Sequence, residues 1–185
     1  MTKRSVDEKL TAELKTLVEV ALPGMEVEVG RNPRWERRCV TFRWDGFAGL
    51  LPEERFYRLV QVMPEEWRLS RLNGCVWLEL APAETVDEYL RFPRSEDVAE
   101  RESLIYQNLL KLNFFAALGT TMGVTPETAC SGDFAKSVEM LSKKRCSAET
   151  IRDAKLVMIR NGAYCDCQAL QTAQPALAKL HAGAA

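Results

Sequence analysis

The fold class is decided by MEVEVGRNPRWERRCVTFRWDG, residues 25–46. Apolar residues alternate with acids from Met25 to Val29, which is the two-residue period of a strand with one buried face. A second alternation from Cys39 to Trp44 predicts another strand, because its large apolar side chains share one face. Asp45 and Gly46 then provide a turn signal. We expect the apolar faces of both strands to pack against helices.

Helical patterns lie on both sides of these strands. Ser5 with Glu8 has capping-box spacing, and leucines at helical intervals follow until Pro23. Later elements are a helix from Pro52 to Pro64, a strand from Cys75 to Leu80 and a short helix from Thr85 to about Pro93. The predicted order of the first half is therefore αββαβα.

The second half contains helical patterns alone. The predicted helices are a long one from Ser95 to about Gly119, one at Thr125 and Pro126, one near Phe134–Leu141, one from Ser147 to Arg160 and a last piece interrupted by Pro175. We therefore predict an α+β fold. An N-terminal αββαβ(α) module with a three-stranded sheet occupies residues 5–93, an all-α module occupies 94–172, and 173–185 form a flexible tail.

Composition narrows the functional classes. The 185 residues include 25 basic and 26 acidic side chains, so the chain lacks the positive field of a typical nucleic-acid or membrane-surface binder. Its hydrophobic fraction of 46% is enough for a packed core. The first residues resemble no secretory signal, and no apolar run approaches the ~20 residues of a membrane span. We expect a soluble cytoplasmic protein that does not enter membranes.

A basic and aromatic loop is the first candidate binding site. Its candidate contact residues are Arg34, Trp35, Arg37, Arg38 and Trp44. Arginine forks bind phosphate and tryptophan faces stack bases, so this composition favours single-stranded nucleic acid or an anionic protein partner. The alternative is a solvated edge whose arginines pair with the acidic stretch from Glu53 to Glu102.

Six cysteines are the second candidate feature. Cys39 and Cys75 lie within predicted strands, where cysteine usually packs as a small apolar residue. Cys165 and Cys167 differ, because they flank one aspartate just after a helix stop and near a helix start. A helix N-terminus favours thiolate.

These two thiols could complete a metal site with other C-terminal side chains. Zinc needs four ligands, and Cys130, Cys146, Cys165 and Cys167 would supply them, with Asp133 as an alternative to Cys146. An iron–sulfur cluster, thiol redox exchange and plain unreactive thiols are the other interpretations.

Two resemblances bear on these sites. The pattern Phe47, Gly49, Arg55, Leu59, Val60, Pro82 and Glu84 resembles the BolA family over roughly residues 8 to 91. It implies a KH-like α+β module, with monothiol glutaredoxin partners in iron–sulfur cluster handling or a role in transcription. The family's ligand histidine is absent, since Arg55, Phe56, Tyr57 and Arg58 stand there, so its ligand role is not implied.

The second resemblance covers the C-terminal cysteines. The segment Asn161–Leu170 resembles the end of a small bacterial family of unknown function, whose signature reads Gly, Tyr, Cys, Asp, Cys, Glu and then an apolar residue. That family carries a further cysteine upstream, followed shortly by a histidine. Cys130 stands at the cysteine position here, and the histidine is absent.

Enzymatic function is the less favoured class. His181, the one histidine, lies in the expected tail, so histidine-based acid–base and Ser-His-Asp schemes lack their central group. The chain has no glycine-rich phosphate loop and no two-histidine metal motif. The preferred hypothesis is a non-enzymatic binding or adaptor protein for a protein partner or nucleic acid. The alternative is a zinc, iron–sulfur or thiol-redox protein.

Overall fold

A computed structural model describes residues 3–182 and divides the chain into two compact units. The division falls between Phe92 and Pro93, one residue before the predicted boundary. The predicted α+β class, with a three-stranded sheet and a helical C-terminal part, is confirmed. Across residues 3–182, none of the helices combines the length and the apolar character that a bilayer crossing demands.

The first unit is a mixed sheet with helices. Its elements are α1 (Lys3–Glu19), β1 (Glu26–Arg31), β2 (Arg38–Arg43), α2 (Pro52–Val62), α3 (Glu65–Ser70), β3 (Val76–Leu80) and α4 (Val86–Arg91). The strand order is β1-β2-β3, with β1 antiparallel and β3 parallel to β2. The parallel β2–β3 pair requires a crossover, and α2 with α3 supplies it.

One face of the sheet is the core of this unit, as its alternation predicts. Val40 and Phe42 of β2 are fully buried and pack with Leu14 and Val18 of α1. Leu59 of α2 is fully buried in the same cluster. Each fully buried aliphatic or aromatic side chain stabilises the fold by about 1.5–3 kcal/mol relative to exposure.

A buried arginine joins α2 to the end of β3. Arg55 is 1% exposed; its Nε donates to Leu50 O at 2.9 Å and its Nη1 to Glu79 O at 2.7 Å. Its guanidinium also forms a two-point ion pair with Glu84, and Nη2 lies 3.1 Å from Oε1. Glu84 in turn accepts the Ala81 N–H at 3.0 Å. Two of the residues that carry the BolA resemblance, Arg55 and Glu84, therefore form an ion pair with each other.

The second unit is helical throughout its regular elements. They are a 3-10 helix (Ser95–Arg101), α5 (Glu102–Lys111), α6 (Phe114–Met122), α7 (Ala135–Lys143), α8 (Ala148–Arg160), α9 (Asp166–Gln168), a π-helical segment (Ala169–Ala173) and α10 (Gln174–His181). Phe114, Leu118, Leu141 and Leu156 are fully buried.

The long helix predicted from Ser95 is interrupted. Asn113 has φ +51°, in the left-handed region that ends a helix, and the chain restarts as α6. Asparagine tolerates this region better than most residues, so a pattern of apolar spacing cannot reveal the break. The helix predicted at Thr125 and Pro126 is a hydrogen-bonded turn, in which Thr128 N–H donates to Thr125 O at 3.1 Å.

Residues 173–182 differ from the expected flexible tail. Leu177 of α10 is fully buried, and the His181 ring stacks on Tyr106 with centroids 5.2 Å apart. Pro175 does not prevent the helix, because proline is tolerated in the first turn. Burial of Leu177 holds this segment against its own unit.

Candidate metal centre

Three cysteine sulfurs form one cluster in the second unit. The Sγ atoms of Cys130, Cys165 and Cys167 all lie within 4.8 Å of one another, and Cys165 Sγ is 3.3 Å from Cys167 Sγ. A tetrahedral zinc ion with 2.3 Å bonds places its sulfur ligands about 3.8 Å apart. The spacing therefore matches that of sulfurs around a single ion.

Local structure explains why two of these sulfurs are neighbours. Cys165 has an extended backbone and stands at the N-cap of α9, while Cys167 lies within its single turn. Ala169 N–H donates to Cys165 O at 2.9 Å, which continues the helix from this cap. Cys165 is buried and Cys167 is half-buried. The helical turn brings the two thiols into contact.

Asp166, between these two cysteines, connects them to α7. Its buried carboxylate accepts the Lys136 N–H at 2.8 Å, the Ser137 N–H at 3.0 Å and the Ser137 hydroxyl. The first N–H groups of a helix have no partner within that helix, so Asp166 caps α7 from a distant part of the chain. Its own N–H donates to Asp133 O at 2.9 Å.

The third sulfur belongs to the loop that these contacts hold. The backbone oxygen of Asp133 accepts the Asp166 N–H, and Cys130 lies three residues before Asp133. Gly132 has φ +78°, and its N–H donates to Cys130 Sγ at 3.4 Å. Such a backbone favours glycine, since other residues enter the left-handed region at a cost. The loop thus curls around the Cys130 sulfur.

The three thiols differ in their tendency to ionise. Burial raises the pKa of Cys130, but hydrogen bonds from Cys167 N–H and Gly132 N–H, followed by contacts with the Cys167 and Cys165 thiols, bring that pKa below its ordinary value. Burial raises the pKa of Cys165 strongly and that of Cys167 as well. The helix start therefore does not lower the pKa of Cys165 or Cys167, because desolvation outweighs it; of the three thiols, Cys130 is the one whose pKa is lowered.

Cys146, predicted as the fourth ligand, does not join the cluster. Among residues 3–182, Cys130, Cys165 and Cys167 form the one group of three or more His, Cys, Asp or Glu side chains whose ligand atoms lie this close together. Cys146 N–H donates to Leu141 O at 3.1 Å, and Arg145 N–H donates to Ser142 O at 2.9 Å with φ +59° at Arg145. This is a Schellman motif at the C-terminal end of α7.

Helix length explains why Cys146 and Cys130 are separated. The nine residues of α7 span about 13 Å, and the Cys130 loop lies at its other end. Asp133, the alternative ligand, is not in the cluster either. Its Oδ1 accepts the Ser131 hydroxyl at 2.6 Å and the Ala135 N–H at 3.0 Å.

The tryptophans of the basic loop belong to the core of the first unit. Trp35 packs against Leu78, Leu80 and Tyr89. Trp44 is half-buried, donates from Nε1 to Pro23 O at 3.0 Å and meets the Phe47 ring edge-on at 5.5 Å. These rings therefore pack on their own protein, which leaves less of their faces for stacking bases.

The arginines of the same loop are dispersed. Arg34 pairs with Asp87 at 2.8 Å, and Arg38 pairs with Asp7 at 3.0 Å. Arg37 is exposed. Asp87 belongs to the acidic stretch that the alternative interpretation names, whereas Asp7 lies in α1.

Comparison with known proteins provides no relative from which a role could be carried over. Both resemblances noted in the sequence remain expectations about fold and function. No family model, no curated protein and no solved structure matches this chain.

Proposed function

We propose that the second unit is a zinc-binding module in which Cys130, Cys165 and Cys167 supply three thiolate ligands. The observation that carries this proposal is the approach of all three sulfurs to within 4.8 Å of one another. Zinc prefers sulfur and nitrogen ligands in tetrahedral geometry, and it binds cysteine as thiolate, so binding releases thiol protons.

A single ion suits the spacing better than an iron–sulfur cluster. Each iron of a [4Fe–4S] cluster takes its own cysteine ligand, so that cluster spreads those sulfurs apart. In this chain Cys165 Sγ and Cys167 Sγ are already in contact at 3.3 Å. Thiol redox exchange would use the same contact, and metal analysis separates it from zinc binding.

The test is metal analysis of the full chain purified without oxygen or added chelator. We expect close to one zinc per chain and no visible absorption. Cys165→Ser, Cys167→Ser and Cys130→Ser should each lose most of the zinc, because two thiolates hold it far less tightly. Cys146→Ser is the matched control and should retain it.

Two results would contradict the proposal. One is a chain that stays metal-free after incubation with excess zinc. The other is equal loss of zinc from the Cys146→Ser control, since Cys146 lies at the opposite end of α7 from the Cys130 loop. If the analysis instead finds iron and a visible absorption spectrum, the bound group is an iron–sulfur cluster and not a zinc ion.

The first unit supports a second candidate function, binding of a protein partner. Its order α1, β1, β2, α2, β3, with α3 inserted before β3, is compatible with the BolA resemblance, which implies a monothiol glutaredoxin as partner. Nucleic acid is the less supported ligand because Trp35 and Trp44 pack internally. Calorimetric titration of the full chain with a monothiol glutaredoxin tests this candidate, and absence of heat at micromolar concentrations would remove it.

A further inference from the structure

The ligand count of the proposed zinc site leaves one position to be filled. Zinc in proteins is almost always four-coordinate, and structural sites take all four ligands from the chain. Among the described residues three cysteines come together, and neither Cys146 nor Asp133 joins them. The residues outside 3–182 carry no Cys, His, Asp or Glu side chain. The described residues therefore leave the fourth position open to a donor from solvent or from a partner.

The three cysteines of the cluster are not equally buried. Cys165 is buried, whereas Cys130 and Cys167 are half-buried. The side formed by Cys130 and Cys167 is therefore where we expect an external donor to approach. Open positions of this kind occur in zinc sites with three protein ligands, where water or substrate takes the fourth place.

Charge restricts the kind of donor. Three thiolates around a divalent ion carry a net charge of about −1. The N–H groups of Gly132 and Cys167 are directed at Cys130, and that of Gln168 at Cys165. A fourth anion would meet like charges at short range, whereas a neutral nitrogen or water adds none.

Hydrogen bonds within the protein also hold the segments that carry the three cysteines. Asp166 caps α7 through Lys136 N–H and Ser137 N–H, and its own N–H binds Asp133 O. Structural zinc sites often supply the folding energy of their domain. Here hydrogen bonds of Asp166 hold the segments that carry the three ligands, so the proposed zinc is not their sole support.

We infer that the metal bound by Cys130, Cys165 and Cys167 keeps its fourth position for a neutral nitrogen donor from outside the chain, of the imidazole class. This inference rests on the proposed zinc site. Binding exchanges one metal-bound water for one metal–nitrogen bond, with no change of oxidation state and no proton transfer.

The experiment uses the full chain loaded with Co²⁺, whose visible spectrum reports the donor atoms of the metal. Imidazole and azide are titrated separately into the wild type and the Cys146→Ser variant. We expect a saturable spectral change with imidazole, half-complete at a concentration at least about tenfold below that needed for azide. The Cys146→Ser variant should give the same starting spectrum and the same titration.

Each other outcome has a definite meaning. Bound Co²⁺ whose spectrum imidazole leaves unchanged overturns the open position while the three-cysteine site stands. A different starting spectrum in Cys146→Ser shows that Cys146 fills the position and overturns it too. A stronger response to azide overturns the charge argument. Failure to bind Co²⁺ at all overturns the zinc site itself.

Discussion

At the residue scale, Asp166 has the largest structural role in the cysteine cluster. Its carboxylate accepts three hydrogen bonds from Lys136 and Ser137, although it is not one of the clustered metal-ligand candidates. A buried carboxylate is stable when donors satisfy it, and the positive end of α7 supplies them. In the sequence, Asp166 was visible only as the residue between two cysteines.

We predict that Asp166→Asn destabilises the second unit by about 1–3 kcal/mol, because an amide loses charge-assisted hydrogen bonds from α7. Zinc affinity should fall as well, since the start of α7, which follows the Cys130 loop, is held less firmly. Denaturant unfolding and competition with a zinc chelator measure the two effects. Glu139→Gln is the matched control, because Glu139 is exposed and pairs with Lys143 on the next turn. A change above about 0.5 kcal/mol in this control would contradict the prediction.

We predict that Arg55→Met costs about 3–5 kcal/mol of stability in the first unit. The change leaves the Glu84 carboxylate without its arginine partner in a nearly buried position. Arg37→Met, at an exposed position, should stay within about 0.5 kcal/mol of the wild type. Unfolding followed by tryptophan fluorescence measures both. An Arg55→Met effect no larger than that of Arg37→Met would contradict the structural role.

At the scale of elements, α7 decides which cysteines meet. The loop at its N-terminal end carries Cys130, and the Schellman motif at its C-terminal end carries Cys146. A rigid helix keeps these ends about 13 Å apart. The four-cysteine site predicted from sequence therefore becomes a three-cysteine cluster.

We predict that Arg145→Gly stabilises the second unit by about 0.5 kcal/mol. Arg145 has φ +59°, which costs a residue with a Cβ about 1–2 kcal/mol. Glycine avoids this cost, but it loses more conformational freedom on folding, so the net stabilisation is smaller. Lys144→Gly, at a residue with φ −80°, should instead destabilise. Thermal unfolding of both variants checks the opposite signs. Destabilisation by both would argue against the left-handed turn.

At the scale of the whole molecule, the chain consists of two units with separate chemical features. The first unit contains the sheet and the buried Arg55–Glu84 pair, and the second contains the cysteine cluster. A ligand that binds only the folded state stabilises the part that holds it. Zinc should therefore stabilise the second unit and leave the stability of the first unit unchanged.

We predict that zinc slows amide hydrogen exchange in residues 130–168 and leaves residues 26–80 unchanged. The stabilisation grows with zinc concentration above the dissociation constant, reaching about 2.7 kcal/mol at a hundredfold excess. Mass spectrometry of the full chain with and without zinc measures it, with Cys167→Ser as control. Protection confined to the sheet would place the metal elsewhere.

Much of the architecture follows from local sequence patterns. The alternation in residues 25–46 predicted β1 and β2, and proline with acids at Pro52 predicted the start of α2. These features depend on neighbours a few residues apart, so periodicity is sufficient. The sequence pattern did not predict the break at Asn113, because a left-handed residue leaves the apolar spacing unchanged.

The sequence by itself determined the α+β class, the helical second half and the identity of the thiols available as ligands. Tertiary structure alone decided that Cys130 meets Cys165 and Cys167, that Cys146 stays apart, and that Trp35 and Trp44 pack internally. The reason is physical. Secondary structure follows from short-range spacing, whereas the cluster depends on the contact of Asp166 with the start of α7, thirty residues away along the chain.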